Sequence, residues 1–438
     1  MRFVYLSLLF LSFFVRAQIS IDLDGNREIS AFSEQAYSNN SLGIALGGGS
    51  QTLLQYKFYS PLKKMMPTGI RLEAVTADYR SLYDPILNKW NYDLLDKELD
   101  HVNINKASSV IANVFYTPRF LSSCPNSKNY AYCPPNDMNA WTNYVKNIVR
   151  HVYSKYGVKY WEIGNEPSGK NFFRAPMRDF LNFYLLTAKA IKEVDSNIMV
   201  GGYADNAYYI DAYYDFFKSI KEHDLDLLNF VTFHWYGDWG KGHKYDPSDL
   251  GSISSNIQNK LAVLGMKNVP IFLTEWNLSA EGKPPHGKKQ VVSYFIAAQY
   301  WINLSKIDRA FFFRVEPYLN TNSSLLDSNG GITSVGDVFT DMGNILKSNK
   351  FYFKKIDDIY IFFSPTQRKL IFSRYNLFSD GIEKVFITIK NINCVNTPLF
   401  YDYSDGLFPK PLKKTSCQKN NLLIPLTLSN YQSGSINY

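Results

Sequence analysis

Histidine and cysteine are scarce in this chain, with six and four among its 438 residues. A metal site needs several such ligands at short spacings, and the histidines here are scattered, so no metal is expected. After the first seventeen residues no apolar run approaches about 18 residues, which leaves no integral membrane segment in the mature chain. Basic runs interleaved with aromatics are also missing, which argues against a nucleic-acid partner. Internal repeats and low-complexity segments are absent, and no cofactor is expected.

What is abundant is aromatic: 32 Tyr, 31 Phe and 7 Trp, in a sequence that is 45% hydrophobic. That is ample for a large core plus a smaller one, and aromatic excess also suits carbohydrate grooves. The first residues, Met1–Ala17, carry a positive start at Arg2, an apolar run from Phe3 to Val15 and small residues at cleavage spacing. This is the pattern of a secretory signal peptide, so a secreted or periplasmic protein is expected. In an exported chain cysteines pair, and local pairing predicts Cys124 with Cys133 and Cys394 with Cys417 among three possible connectivities. The formal charge of +8 falls to +6 once Arg2 and Arg16 leave with the signal.

Along the chain, short apolar runs alternate with helical periodicity. Strands are predicted to start near Leu42, Ile70, Ser108, Tyr160, Ile198, Phe230, Pro270 and Arg309. Between two of them Trp141, Tyr144, Val145, Ile148, Val149 and Val152 fall on one helical stripe, with Gly157 placed as a C-terminal cap. Phe180, Phe183, Tyr184, Thr187, Ala188 and Ile191 repeat the stripe behind Pro176. Helical spacing is also read from Trp90 to Asn105 and from Val291 to Leu304. Eight strands with helices between them predict a (β/α)8 TIM barrel over 42–348.

From about Phe351 the pattern changes to Ile359–Phe363, Lys369–Tyr375, Lys384–Ile392 and Leu422–Leu428, strands without helices. The expected fold class is therefore α/β, a barrel followed by a small antiparallel β-sandwich-like domain over 349–438. Segment 18–41 holds one alternating piece, Ile19–Leu23, that reads as an edge strand packing on that second domain.

Two strands end in glutamate. Tyr160-Trp161-Glu162-Ile163-Gly164-Asn165-Glu166-Pro167 closes the fourth, because Pro167 cannot donate to a continuing ladder. Val269-Pro270-Ile271-Phe272-Leu273-Thr274-Glu275-Trp276-Asn277 forms the seventh. Barrel active sites lie at the C-terminal strand ends, so Glu166 and Glu275 are the expected carboxyl pair, while Glu162 lies four residues deeper and reads as a satisfied interior carboxyl. Two carboxyls at one mouth can cleave a glycosidic bond, with retention when they stand about 5 to 5.5 Å apart.

These motifs, with His234-Trp235-Tyr236 after strand six, resemble glycoside hydrolase family 39, a clan A family that includes β-xylosidases, α-L-iduronidase and exopolysaccharide hydrolases. The resemblance runs from about Leu42 to Leu346 and includes Thr187–Asp195 followed by Val200-Gly201-Gly202. It implies a retaining hydrolase of a polysaccharide or oligosaccharide, with Glu166 as acid/base and Glu275 as nucleophile. It further implies Asn165 on the sugar hydroxyl beside the reacting carbon, Tyr236 and Arg71 near the nucleophile, and His234 beside them. Glu73, Trp276 and Arg314 complete the expected sugar-binding set.

Where xylosidases of the family have Arg-Phe-His this chain has Arg71-Leu72-Glu73, and strand eight ends in Phe313-Arg314-Val315-Glu316 without tryptophan. Gly164-Asn165-Glu166-Pro167 is shared with heparanase-like glucuronidases, which keeps that class open, as is a catalytically silent sugar-binding barrel. The mature charge and Arg314 suggest an acidic polysaccharide, unless Arg314 pairs with Glu316 or Glu73. The sequence leaves the oligomeric state open.

Overall fold

The structure, a computed structural model, describes residues 19–24, 40–47, 52–104, 109–169, 172–239, 244–280, 286–317, 323–348, 351–393, 397–403, 410–412 and 415–438. The expected signal segment, 1–17, lies outside the described residues, and among those described no helix is long and apolar enough to cross a membrane.

Eight parallel strands close into a barrel in sequence order. They are β1 (Gly43–Ala45), β2 (Gly69–Leu72), β3 (Val110–Val114), β4 (Tyr160–Ile163), β5 (Met199–Asn206), β6 (Phe230–Tyr236), β7 (Ile271–Asn277) and β8 (Ile307–Phe313). The ring closes where Phe312 of β8 pairs with Ile44 of β1. Strand alternation sorts the side chains. Ile44, Ile70, Leu72, Ala112, Trp161 and Ile163 join the layer under the helices, whereas Ala45, Ile111, Phe230, Phe272 and Phe311 plug the lumen. Phe230 and Phe272 stack there at 4.9 Å.

The helices follow from their stripes; in chain order they are α1 (Tyr59–Met65), α2 (Asp93–Ile104), α3 (Met138–Tyr156), α4 (Met177–Lys192), α5 (Ala212–His223), α6 (Asp249–Val263), α7 (Lys288–Leu304) and α8 (Ser334–Leu346). Asp137 caps α3 (Met138–Tyr156) by accepting from the N–H groups of Asn139 and Ala140, and Gly157 ends it in the left-handed conformation. All six apolar stripe residues of α3 are buried. The stripe of α4 (Met177–Lys192) is buried likewise, behind Pro176. Trp141 Nε1 donates to Thr187 Oγ1 at 2.9 Å, tying α3 to α4. Burying each such apolar side chain contributes roughly 1.5–3 kcal/mol.

One boundary differs from expectation. Trp90 pairs with Tyr83 in a two-stranded hairpin, and the helix begins only at Asp93. Asn91 Oδ1 accepts from the Asp93 N–H there, a local bond that starts the helix after the hairpin.

The C-terminal part is two sheets. Tyr352–Ile356, Ile359–Ser364, Lys369–Arg374, Ser433–Asn437, Leu399–Asp402 and Lys410–Pro411 form one, in that order across the sheet. In the other, Ile19–Asp24 lies at the edge, parallel to Glu383–Lys390, followed by Asn421–Leu428 and Ser416–Gln418. Ile361, Phe372 and Ile436 of the first sheet meet Ile21, Ile387 and Ile424 of the second in one core. The opposite face of the first sheet, through Phe353, Phe362 and Ile371, joins the barrel's outer layer beside α7 (Lys288–Leu304) and α8 (Ser334–Leu346). Cys124 and Cys133 are bridged, with Cα atoms 6.1 Å apart; Cys394, half of the second expected pair, lies outside the described residues.

Candidate active site

The mouth of the barrel is built from strand ends. After β4 the chain turns at Gly164, whose φ of +94° is open to glycine, and where a Cβ would come within 2.6 Å of Phe180. Asn113 Nδ2 holds the Gly164 carbonyl at 2.7 Å. Glu166 then takes a φ of +41°, fixed by its N–H donating to the Ala204 carbonyl at 2.7 Å. The next turn is anchored from β5, where Asp205 Oδ2 accepts from the Ser168 N–H at 3.3 Å. Asp205 is fully buried, and burial pushes its carboxyl up to about 6, against hydrogen bonds from Ser168 and Asn206.

Arg71 at the end of β2 is the hub. It is wholly buried and spends three nitrogens on three partners: Nε on Glu162 Oε2 at 2.6 Å, one terminal nitrogen on Glu275 Oε1 at 2.6 Å and the other on Asn165 Oδ1 at 2.9 Å. Burial alone would favour its neutral form, but Glu162, Glu275 and Glu73 outweigh that and hold the guanidinium charged. Glu162 is buried too, and Arg71 keeps it below the usual carboxylate range despite the desolvation. Because Arg71 donates to Asn165 Oδ1, the amide nitrogen of Asn165 is the atom turned to other partners.

Glu275 on β7 is held from its other side by the Tyr236 hydroxyl, which donates to Oε2 at 2.7 Å. His234, two residues earlier on β6, places Nδ1 3.0 Å from Glu166 Oε1 and 3.6 Å from Glu275 Oε2. Burial would lower this imidazole, but the charge of Glu275 and the bond to Glu166 raise it overall. Ligand atoms of Glu166, His234 and Glu275 all lie within 4.8 Å of one another. Two carboxylates and an imidazole are also a donor set for a divalent cation. Here Arg71 and Tyr236 already engage both oxygens of Glu275, which fits the trio to proton transfer and charge stabilisation instead.

The structure therefore brings together Glu166, Glu275, Asn165, His234, Tyr236 and Arg71. Glu73 stands at the same mouth, buried, within electrostatic reach of Glu275. Arg314 follows β8 and pairs with Glu316 at 2.6 Å, the alternative foreseen for it. Trp276 requires a correction. It is 1% exposed, stacked on Phe295 at 5.4 Å and edge-on to Phe312 at 5.1 Å. Adjacent strand residues point to opposite faces, so with Glu275 facing the lumen Trp276 must face α7 and does not bind sugar.

Two participants escaped the sequence reading. Asn113 on β3 binds both Glu162 Oε2 at 3.0 Å and the Gly164 carbonyl; its polar side chain in a β-branched run was the available signal. Tyr116, just beyond β3, has its phenol pushed up by burial and by Glu73, and it stands among Tyr79, Tyr132 and Phe172 around Phe115. Nothing in its sequence neighbourhood separates it from the other tyrosines.

Comparison with known proteins agrees with this geometry. The family model described as Glycosyl hydrolases family 39 matches residues 50–304. A β-xylosidase of Caldicellulosiruptor saccharolyticus is 31% identical over 174 residues, 35% of this chain and 33% of that protein, so the chain spans about a third of that relative's length. A glucosidase from Croceicoccus marinus superposes with a TM-score of 0.74 at 15% identity, over 96% of this chain and 98% of that one. A monomeric β-xylosidase from Caulobacter crescentus CB15 gives 0.73 at 15%, over 95% and 99%. At such identity these two bear on the fold alone.

Proposed function

The chain belongs to glycosyl hydrolases family 39, and from that premise we propose that it is an exported glycoside hydrolase that cleaves glycosidic bonds by double displacement with retention of configuration. The observation that carries the reading is the carboxylate spacing. One oxygen of Glu166 and one of Glu275 lie within 4.8 Å of each other, an approach that suits the roughly 5 Å carboxyl separation of retaining enzymes better than the roughly 6.5–9.5 Å that an inverting enzyme needs to admit water.

In the first step Glu275 attacks the anomeric carbon while Glu166 gives its proton to the departing oxygen. Arg71 and Tyr236 aim the nucleophile, one on each oxygen. In the second, Glu166 takes a proton from water, which attacks the anomeric carbon from the face the departing group left, opposite the ester, and releases Glu275 as carboxylate, so that two inversions give net retention. Asn165, its oxygen held by Arg71, turns its amide nitrogen to the hydroxyl beside the reacting carbon. His234 orients Glu166. Export rests on the Met1–Ala17 pattern.

The substrate proposed is an uncharged glycoside of the β-xylosidase type, as in the C. saccharolyticus relative. The pairing of Arg314 with Glu316 engages the cation on which an acidic substrate would have depended. A sugar carboxylate would also approach the carboxyls of Glu275 and Glu316.

The test is a fluorinated aryl glycoside that traps the glycosyl-enzyme. Label is expected on Glu275, and Glu275→Ala should lose turnover while azide restores part of it as a glycosyl azide of inverted configuration. Near wild-type activity in folded Glu275→Ala ends the assignment, and a silent sugar-binding barrel would not label.

A further inference from the structure

A third carboxyl stands at the mouth, and the turn after β2 is built around it. Glu73 follows β2 by one residue and is 6% exposed. Ala74, next in the chain, takes a φ of +51°, a conformation an alanine adopts only when its surroundings impose it. The surroundings are visible. Asn113 Oδ1 accepts from the Ala74 N–H at 3.2 Å. The buried Arg80 guanidinium donates to the carbonyls of both Ala74 and Glu73, and is itself held by Glu98 at 2.7 Å.

This clamp fixes the backbone of Glu73 but leaves its carboxyl unengaged. Oε2 is buried without a hydrogen-bond partner. Leaving a buried carboxyl oxygen unpaired costs free energy; Glu162 Oε1 and Glu316 Oε2 are also buried without a partner, but the other oxygen of each of those carboxyls is held by a guanidinium, Arg71 or Arg314. Strained backbone, a dedicated buried clamp and an unpaired oxygen beside the nucleophile together describe a group awaiting a ligand.

We propose that Glu73 is a specificity-determining residue that meets the bound sugar as an uncharged carboxylic acid, donating a hydrogen bond to one hydroxyl of the glycone. The inference rests on the proposed glycosidase reading and adds the substrate class: a neutral glycone carrying a free hydroxyl at the position Glu73 faces.

The charges around Glu73 agree. Facing it are Glu275 from β7, Arg71 from its own strand, His234 from β6 and Arg314 beyond β8, with the Tyr116 phenol from the segment after β3. Burial first, then Glu275, raise its pKa to about 8, against the pull of Arg71, His234 and Arg314. Glu73 is thus a donor at neutral pH and becomes an anion beside the nucleophile in alkali, where its hydrogen bond to the sugar is lost.

Two arms test this. In the first, kcat/KM is measured from pH 6 to 9 for wild type and for Glu73→Gln, which keeps an N–H donor and cannot ionise. The ratio of variant to wild type should rise about tenfold between pH 6 and 9, one unit past the wild-type ionisation. In the second, monodeoxy aryl glycosides are compared on wild type and Glu73→Leu. One monodeoxy substrate should suffer at least tenfold more than its siblings on wild type, and that excess should vanish in the variant. A flat ratio across pH, or an identical deoxy penalty in both proteins, overturns the inference while leaving the glycosidase reading intact. A wild type that cleaves none of the panel and traps no label on Glu275 overturns both.

Discussion

Glu73→Gln should make the protein more stable, and the pH dependence of the gain can be worked out from the site. The Glu73 carboxyl moves from an ordinary 4.5 to about 8 on folding. Below pH 4.5 it is protonated whether folded or unfolded, so it makes no pH-dependent contribution there. Above 4.5 the unfolded chain releases the proton while the folded chain keeps it, so the folded state binds more protons and stability falls as pH rises. The loss continues until the folded carboxyl also ionises near 8. At pH 7 the separation is 2.5 units, or roughly 3 kcal/mol at 1.36 kcal/mol per unit. With Glu73 only 6% exposed, solvent screens little of this. Glutamine removes the titration, so the variant's advantage should be close to its baseline at pH 4.5, grow to roughly 3 kcal/mol at pH 7 and level off above 8. Urea unfolding followed by tryptophan fluorescence at closely spaced pH values measures it. A stability gap of constant size from pH 4.5 to 8.5 would refute the raised carboxyl, whatever its mean value.

Two further outcomes are expected elsewhere in the molecule. Tyr236→Phe removes the 2.7 Å bond to Glu275 Oε2 and should lower kcat/KM on activated aryl glycosides by about 1.5–3 kcal/mol of transition-state stabilisation, with unfolding unchanged; equal kinetics in the two proteins would count against Tyr236 as an orienting group. Cys124→Ser opens a loop of sequence separation 9 and should cost about 2 kcal/mol in denaturant unfolding, a difference that vanishes when wild type is reduced, and a wild type indifferent to reductant would show the bridge to be inert.

The barrel was legible because its signals are local. The α3 and α4 stripes lie within single helices, and Gly157 and Pro176 mark boundaries through their own backbone limits. Glu166 and Glu275 were legible for a related reason: strand ends are local, and the barrel puts all such ends on one face. Trp276 is the exception: its neighbourhood in sequence points to the site, while strand parity sends alternate residues to opposite faces and turns it to the helices. The strands Tyr352–Ile356, Leu399–Asp402 and Ser433–Asn437 went unread. They are short, and Gly434 and two serines interrupt the last, so that its assignment depends on pairing with Lys369–Arg374 and Leu399–Asp402, contacts distant in the chain.

Least legible was the division of charge, because it exists only once five strands meet. Arg71 binds Glu162 and Glu275 with equal 2.6 Å contacts, and the sequence reading treated Glu162 simply as an interior carboxyl. Its burial has a purpose under the proposed reaction. When Glu275 becomes a sugar ester it loses its negative charge, and a lone buried guanidinium would then carry an unpaired positive charge in a low-dielectric site. Glu162, kept ionised by Arg71 and fully enclosed, holds that charge through the covalent intermediate. The nucleophile can therefore alternate between carboxylate and ester while its anchoring cation stays paired. A single Arg–Glu pair would lack this property, which gives a physical reason for a second buried carboxyl on the same guanidinium as the reacting one.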